Sequence, residues 1–236
     1  MSVSPFNWLE AGYFYYRPSD LIWEGNLVRG HYLDKGFNVK FIYRSKSKYT
    51  PNIALGLDDF AGTGFFSREY IVSTYNYNSL KASLGIGWGK FVGENTYENP
   101  LSFISNRLLT RPSEKIKSGT PAYNQWFRGD ATLFGGIEYQ PSTLKGLKIK
   151  VEYDPIDYLD LSANYRSDLS FDRRKKDSNI NLGLTYALNK FLTFETSFIK
   201  GNTINLNIAF TFPFGKEIQE KKKFEPNVTK NFQEAS

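Results

Sequence analysis

Apolar and polar residues alternate with a period of two along most of the chain. In "GLKIKVEYD", Leu147, Ile149, Val151 and Tyr153 fall on one side, and Lys148, Lys150, Glu152 and Asp154 on the other. "NINLGLTYAL" sets Ile180, Leu182, Leu184, Tyr186 and Leu188 against Asn179, Asn181, Gly183, Thr185 and Ala187. "TINLNIAFTF" sets Ile204, Leu206, Ile208, Phe210 and Phe212 against Thr203, Asn205, Asn207, Ala209 and Thr211. "LKASLGIGW" and "FNVKFIY" behave alike. This is the period of a β-strand with two unlike faces. No stretch carries an apolar stripe at helical spacing.

Strands are predicted near 7–17, 21–30, 36–45, 50–59, 67–77, 79–89, 129–140, 145–155, 178–189, 191–200 and 202–213, with a further alternating run at 158–166. Many of these runs have the roughly 9–11 residues that a tilted strand needs to cross a bilayer, longer than the mode of about 5–6 in soluble sheets. Tight connections ("YNYNS", "PSTLKG", "ALNK", "KGNT") contrast with two long ones near 90–128 and 156–177. Short turns on one side and long loops on the other are the pattern of outer-membrane proteins. The expected fold is therefore all-β: an antiparallel up-and-down transmembrane β-barrel of about 10–12 strands over 1–214, followed by a charged tail or linker at 215–236. Tyr13, Tyr15, Tyr43, Tyr70, Trp88, Tyr139, Tyr153, Tyr186 and Phe212 lie near strand ends, where interfacial girdles sit. A soluble barrel or sandwich with its polar face in water would alternate in the same way.

Composition narrows this picture at three points. A mean hydropathy of −0.46 and the absence of a long apolar run exclude a transmembrane helix, but polar lumen residues would dilute the signal of a barrel. The absence of cysteine excludes disulfides and thiolate chemistry. The net charge of +6 is concentrated in loops. Between Arg107 and Arg128 five basic residues face one acid, Glu114, and between Arg166 and Asp177 five face three. Basic loops favour anionic partners such as lipopolysaccharide or acidic polysaccharide. Met1 is followed by "SVSPFNWLEAGYFYY", which lacks a basic region and an apolar core. A signal peptide is thus absent from the chain, and for an exported protein the expectation is a fragment or truncated member.

No catalytic constellation emerges. "GTGFFS" is not followed by the Gly-Lys-Ser/Thr of a phosphate loop, and "GIGWGK" lies on an alternating strand rather than before a helix. His31 is the single histidine, so a His-based metal site or a Ser–His pair would have to rest on it alone, and nothing in the sequence selects a nucleophile for it. "DPIDYLD" lacks the spacing and the glycine of a calcium loop. No catalytic, cofactor or metal residue is assigned. Asp58, Glu152 and Asp154 fall on the expected inner face, with Arg68, Lys148 and Lys150 to neutralise them, because buried charges are tolerated only when paired. A lumen enzyme acting on lipid or sugar through paired carboxylates is the alternative. "LGLDDFAGTGFFSREYIVSTYN" is a hairpin in this reading, with Asp58, Asp59, Arg68 and Glu69 forming a polar cluster at its turn.

"PNIALGLDDFAGTGFFSREYIVSTYN", "LKASLGIGWGKF", "WFRGDATLFGGIEYQ", "LKIKVEYD" and "NINLGLTYALNKFLTFETSFIKGNTINLNIAFTF" occur in that order. Together they resemble the YjbH/GfcD-like outer-membrane proteins of exopolysaccharide and capsule biosynthesis, over nearly all of 8–213. The resemblance implies an exported β-barrel at the bacterial outer membrane. Its partners would be membrane lipid or lipopolysaccharide, anionic polysaccharide and other envelope polysaccharide-secretion proteins, with no nucleic acid and no cofactor. It brings no catalytic residue with it.

Overall fold

A computed structural model of the chain describes residues 1–17, 22–24, 29–31, 33–62, 64, 66–112, 119–158 and 175–212. The alternating run 158–166 after Tyr158, most of the 156–177 connection and the tail 215–236 lie outside them. The described residues form one large antiparallel sheet and no α-helix.

The strands are β1 (Ser2–Phe6), β2 (Leu9–Tyr16), β3 (Ile22–Glu24), β4 (Arg29–His31), β5 (Asp34–Tyr43), β6 (Asn52–Asp58), β7 (Arg68–Tyr77), β8 (Leu80–Gly89), β9 (Thr96–Tyr97), β10 (Ala131–Tyr139), β11 (Leu147–Tyr153), β12 (Ile180–Ala187), β13 (Leu192–Ile199) and β14 (Thr203–Phe210). The sheet has 12 strands in the order β1-β2-β5-β6-β7-β8-β10-β11-β12-β13-β14, with β9 added against β10. The expected strand at 21–30 is instead the separate β3–β4 hairpin, inserted between β2 and β5. Two short strands, β1 and β9, were not foreseen. Both are too brief to show an alternating pattern.

Successive strands are neighbours, so the meander sorts its connections by end. One end carries 7–8, 44–51, 78–79, 140–146 and 188–191. The other carries 17–33, 59–67, 90–130 and 154–179, with the brief 200–202 turn. The long-loop end is thus built by alternate connections, as the sequence leads one to expect. The sheet itself is not closed into a barrel. Among the described residues no ladder joins β1 to β14, and each has an unpaired edge.

Register places the two kinds of residue on opposite faces across every junction. Leu57 opposes Val39, Ile71 opposes both Leu55 and Ile86, Ile137 opposes Val151, Val151 opposes Leu182, Leu182 opposes Phe198, and Phe198 opposes Ile204. This continuous apolar face is largely uncovered, with Leu84 at 63% and Leu206 at 81% exposure. The other face is polar or small. Its charges meet across strands, as in Lys40–Glu10 at 2.6 Å and Arg68–Asp58 at 2.7 Å.

Buried apolar side chains are few among the described residues: Phe14, Leu57, Trp88, Ala122 and Ala131. Most of that core sits at the long-loop end, where the 90–130 connection folds back over the rim of the apolar face. There Trp88 meets Phe127 edge-to-face, with ring centroids 5.2 Å apart. Trp88 is therefore not an interfacial girdle residue, because the loop covers it. Tyr70 is not one either. It turns to the polar face and packs with Phe91 and Phe134. Gly56 and Gly85 open the slots for Tyr70 and Phe134, since a Cβ at either position would collide with the ring.

Candidate functional site

The eight polar residues singled out in the sequence separate into distinct groups. Asp58 and Arg68 are directly opposed on β6 and β7, and the Arg68 Nε donates to Asp58 Oδ2 at 2.7 Å on the polar face. The Arg68 guanidinium also lies 4.9 Å over the Phe91 ring. Lys148 and Lys150 turn to Glu138 on the neighbouring strand, at 3.8 and 4.0 Å, rather than to Glu152 or Asp154. Glu152 opposes Gly136 and Asn181 on the same polar face and is exposed.

Glu69 does not belong with the Asp58–Arg68 pair. Strand alternation points its side chain to the apolar face, opposite Leu57 and Trp88. It is only 1% exposed. An ionised carboxylate can be buried there only with a cation and full hydrogen bonding, and the long loop provides both. Arg111 donates from Nη1 to Glu69 Oε2 at 2.7 Å and from Nη2 to Oε1 at 2.9 Å. The Ser67 hydroxyl donates to Oε1 at 3.1 Å and the Phe127 N–H to Oε2 at 3.1 Å. This two-pronged bond is of the strong kind, and it fastens the 90–130 connection to the sheet. The loop is braced from within by buried Asn99, whose amide donates to the carbonyls of Leu108 and Phe127 at 2.8 Å. Arg111 belongs to the basic stretch read from sequence as facing anionic partners. Its charge is instead satisfied inside the protein.

Asp59 follows β6 in the left-handed region (φ +54), which aspartate tolerates better than most residues. It is buried, with Oδ2 accepting the Phe66 N–H at 3.2 Å and its own N–H donating to Asn38 Oδ1 at 3.0 Å. Burial, reinforced by the neighbouring buried Asp34, pushes its carboxyl up to about 7. The native state thus holds a proton that the unfolded chain, with its carboxyl at 3.8, releases. This contribution to stability is complete below the unfolded value and is lost as pH rises through the folded one. Asp59→Asn should flatten the decline in urea midpoint between about pH 4 and pH 7. Equal pH slopes for variant and parent, measured in detergent micelles, would show that Asp59 does not govern it.

The Asp154 carboxylate is held by three donors. The Tyr158 hydroxyl donates to Oδ2 at 2.6 Å and the Ile156 N–H to Oδ1 at 3.0 Å, while the Asn181 amide lies 3.5 Å from Oδ2. The Lys176 ammonium donates to the Asp154 and Ile156 carbonyls at 3.0 and 2.7 Å. Burial, with the hydrogen bond to Asp154 behind it, raises the Tyr158 phenol above its ordinary value. These contacts fix the start of the 154–179 connection.

The sheet curls so far that this segment faces β2. Phe14 and Tyr16 of β2, Asn38, Asp58, Asp59, Phe66, Arg68 and Lys90 line one cavity together with Ile156 and Tyr158. It opens at the long-loop end of the polar face. Phe14 stacks on Tyr16 at 5.0 Å, and Phe66 meets Tyr16 edge-on at 6.0 Å. Sequence reasoning missed Tyr16, Phe66, Tyr158 and Arg111 as site residues. Only Arg111 had a signal: a lone acid in an apolar alternation requires a distant cation. No group of three or more potential metal ligands occurs among the described residues. The side chain of His31 lies outside them.

Comparison with known proteins places these features in context. A model of the YjbH family, described as "Exopolysaccharide biosynthesis protein YbjH", matches residues 1–236. The "Uncharacterized lipoprotein YjbH" of Escherichia coli (strain K12) is 31% identical over 183 residues, 78% of this chain and 25% of that protein. The aligned region thus spans about a quarter of the length of the curated relative it matches. No solved structure matches.

Proposed function

The chain belongs to the YjbH family of exopolysaccharide biosynthesis proteins, and from that premise we propose that its sheet is part of the wall of an outer-membrane β-barrel that takes part in exopolysaccharide assembly or export. The observation that carries this reading is the uncovered apolar face. It runs unbroken across the sheet from β2 to β14, while the opposite face carries paired charges, amides and glycines. A soluble sandwich would pack that face against a second layer, and no such layer occurs among the described residues. Long strands of 8–10 residues, at about 3.4 Å per residue and tilted, match an apolar band roughly 25 Å tall. Tyr43, Tyr77, Tyr139 and Tyr186 lie toward its short-turn end, and Tyr13, Tyr15 and Tyr153 toward the other.

A sheet in lipid must have its edges satisfied, so this reading requires further strands beside β1 and β14. The much longer curated relative leaves room for them. We read the protein as a non-enzymatic component. Two of the inner-face carboxylates that a lumen hydrolase would draw on are tied to other groups, Asp58 to Arg68 and Asp154 to Tyr158.

The absence of native cysteine makes the test direct. Single substitutions Leu206→Cys and Asn205→Cys place thiols on opposite faces of β14. In bilayers the thiol at 206 should resist a water-soluble maleimide and react with a lipid-phase probe, and the thiol at 205 should do the reverse. Equal labelling from water at both positions, in a protein that needs no detergent, would remove the reading.

A further inference from the structure

We propose that the mouth formed by Tyr16, Asn38, Asp58, Phe66, Arg68 and Tyr158 is a binding subsite for an uncharged sugar ring of a polysaccharide. It deepens, and rests on, the exopolysaccharide reading above. A sugar ring presents an apolar C–H face and a rim of hydroxyls, each both donor and acceptor. The mouth offers a complement to each.

Tyr16 is the platform. The residue is 54% exposed, and its ring is held by stacking on Phe14 and by the edge of Phe66. An exposed aromatic ring held in place binds a flat apolar surface with little loss of side-chain freedom. Among the described residues, three side chains of the rim have hydrogen-bonding capacity left over. Asp58 uses only Oδ2 for Arg68, and its Oδ1 has no hydrogen-bond partner among the described residues. Arg68 engages Asp58 through Nε, leaving the donors on its terminal nitrogens without an acceptor among those residues. Asn38 uses its Oδ1 for the Asp59 N–H, and its amide donors have no acceptor there. One cavity therefore offers both donors and acceptors.

The charge selects against an acidic sugar, because both cations that line the cavity are already engaged, Arg68 by Asp58 and Lys90 by contacts of its own. Arg68 is already paired with Asp58, and a uronate carboxylate would compete with Asp58 for the same guanidinium while facing its negative charge. A neutral hexose requires no such exchange. The cavity also opens on the polar face at the long-loop end, so a chain passing along that face would meet it.

The test is a titration of the protein in detergent micelles or nanodiscs, followed by saturation-transfer NMR. The probes are gluco-, manno- and galacto-tetraoses and a galacturonate tetramer. At least one neutral tetraose should receive saturation from the protein. Its binding should weaken by about tenfold or more in Tyr16→Ala and in Asp58→Asn, and survive in Tyr16→Phe, which keeps the ring. Lys150→Gln, remote from the mouth, should change nothing. Heat-dependent gel migration checks that each variant is folded. Binding by none of the sugars, binding by the galacturonate alone, or undiminished binding in folded Tyr16→Ala would overturn the proposal. Failure here, with the thiol at position 206 still lipid-facing, removes only the subsite. Failure of the thiol test removes the membrane reading and leaves the sugar titration to be judged by itself.

Discussion

Arg111→Ala is expected to lower the unfolding free energy in detergent micelles by about 3–5 kcal/mol, the usual effect of removing one partner from a buried ion pair. Glu69 is enclosed by Leu57, Trp88 and Phe127, and among the described residues its cation is Arg111. Without it, the carboxylate must either take up a proton or remain charged in an apolar pocket. The Ser67 hydroxyl, which also accepts from Arg111 Nη2 at 2.9 Å, loses that donor. The second consequence is local. The Arg111 clamp fastens the 90–130 connection, so a protease should cut within 99–128 in the variant and not in the parent. Replacing both partners with leucine should recover much of the loss, because well-packed apolar groups often match or exceed a buried ion pair. Unchanged midpoints and an unchanged digestion pattern for Arg111→Ala would show that the pair does not hold the loop.

Val151→Arg should destabilise the protein by about 2–4 kcal/mol if the position lies near the bilayer midplane, whereas Lys150→Gln should shift stability by less than about 1 kcal/mol. The two residues are adjacent in sequence and opposite in environment. Val151 sits between Ile137 and Leu182 on the apolar face. Lys150 lies on the polar face, 4.0 Å from Glu138, with Lys148 at 3.8 Å as a second cation for the same carboxylate. Loss of one of two weak, solvent-exposed contacts has little effect. Folding titrations into lipid vesicles would measure both variants. Similar losses at the two positions would mean that the apolar face does not meet lipid.

The alternation was the most legible feature because it is local. A strand's side chains turn over every residue, so "LKIKVEY" by itself separates Leu147, Ile149 and Val151 from Lys148, Lys150 and Glu152, and β11 preserves that separation. The sorting of long and short connections was legible for the same reason, since an antiparallel meander places alternate loops at alternate ends. The β3–β4 hairpin was less so. "LIWEGNLVRGH" reads as one strand, but Ile22–Glu24 pairs antiparallel with Arg29–His31.

The polar cluster was only partly legible, and Glu69 shows why. Its neighbours Asp58 and Arg68 are paired, as their places at the two ends of one hairpin loop suggest. Parity, however, sends Glu69 to the other side of the sheet. Its partner Arg111 is 42 residues away, beyond what any local pattern specifies. The mouth is more remote still: Tyr16, Arg68 and Tyr158 meet only because the sheet curls.

The sequence by itself thus determined what repeats at short range: an all-β chain, most of its strands, the two unlike faces and the asymmetry of the loops. The tertiary structure alone decided what depends on sheet curvature and loop return: the burial of Trp88 under the 90–130 connection, the Glu69–Arg111 clamp, the meeting of β2 with the 154–158 segment, and the open edges at β1 and β14. Alternation records which face a residue takes within its own strand. How far a sheet bends, and which loop comes back to cover it, follow from contacts between residues far apart in the chain, and no periodicity carries that information.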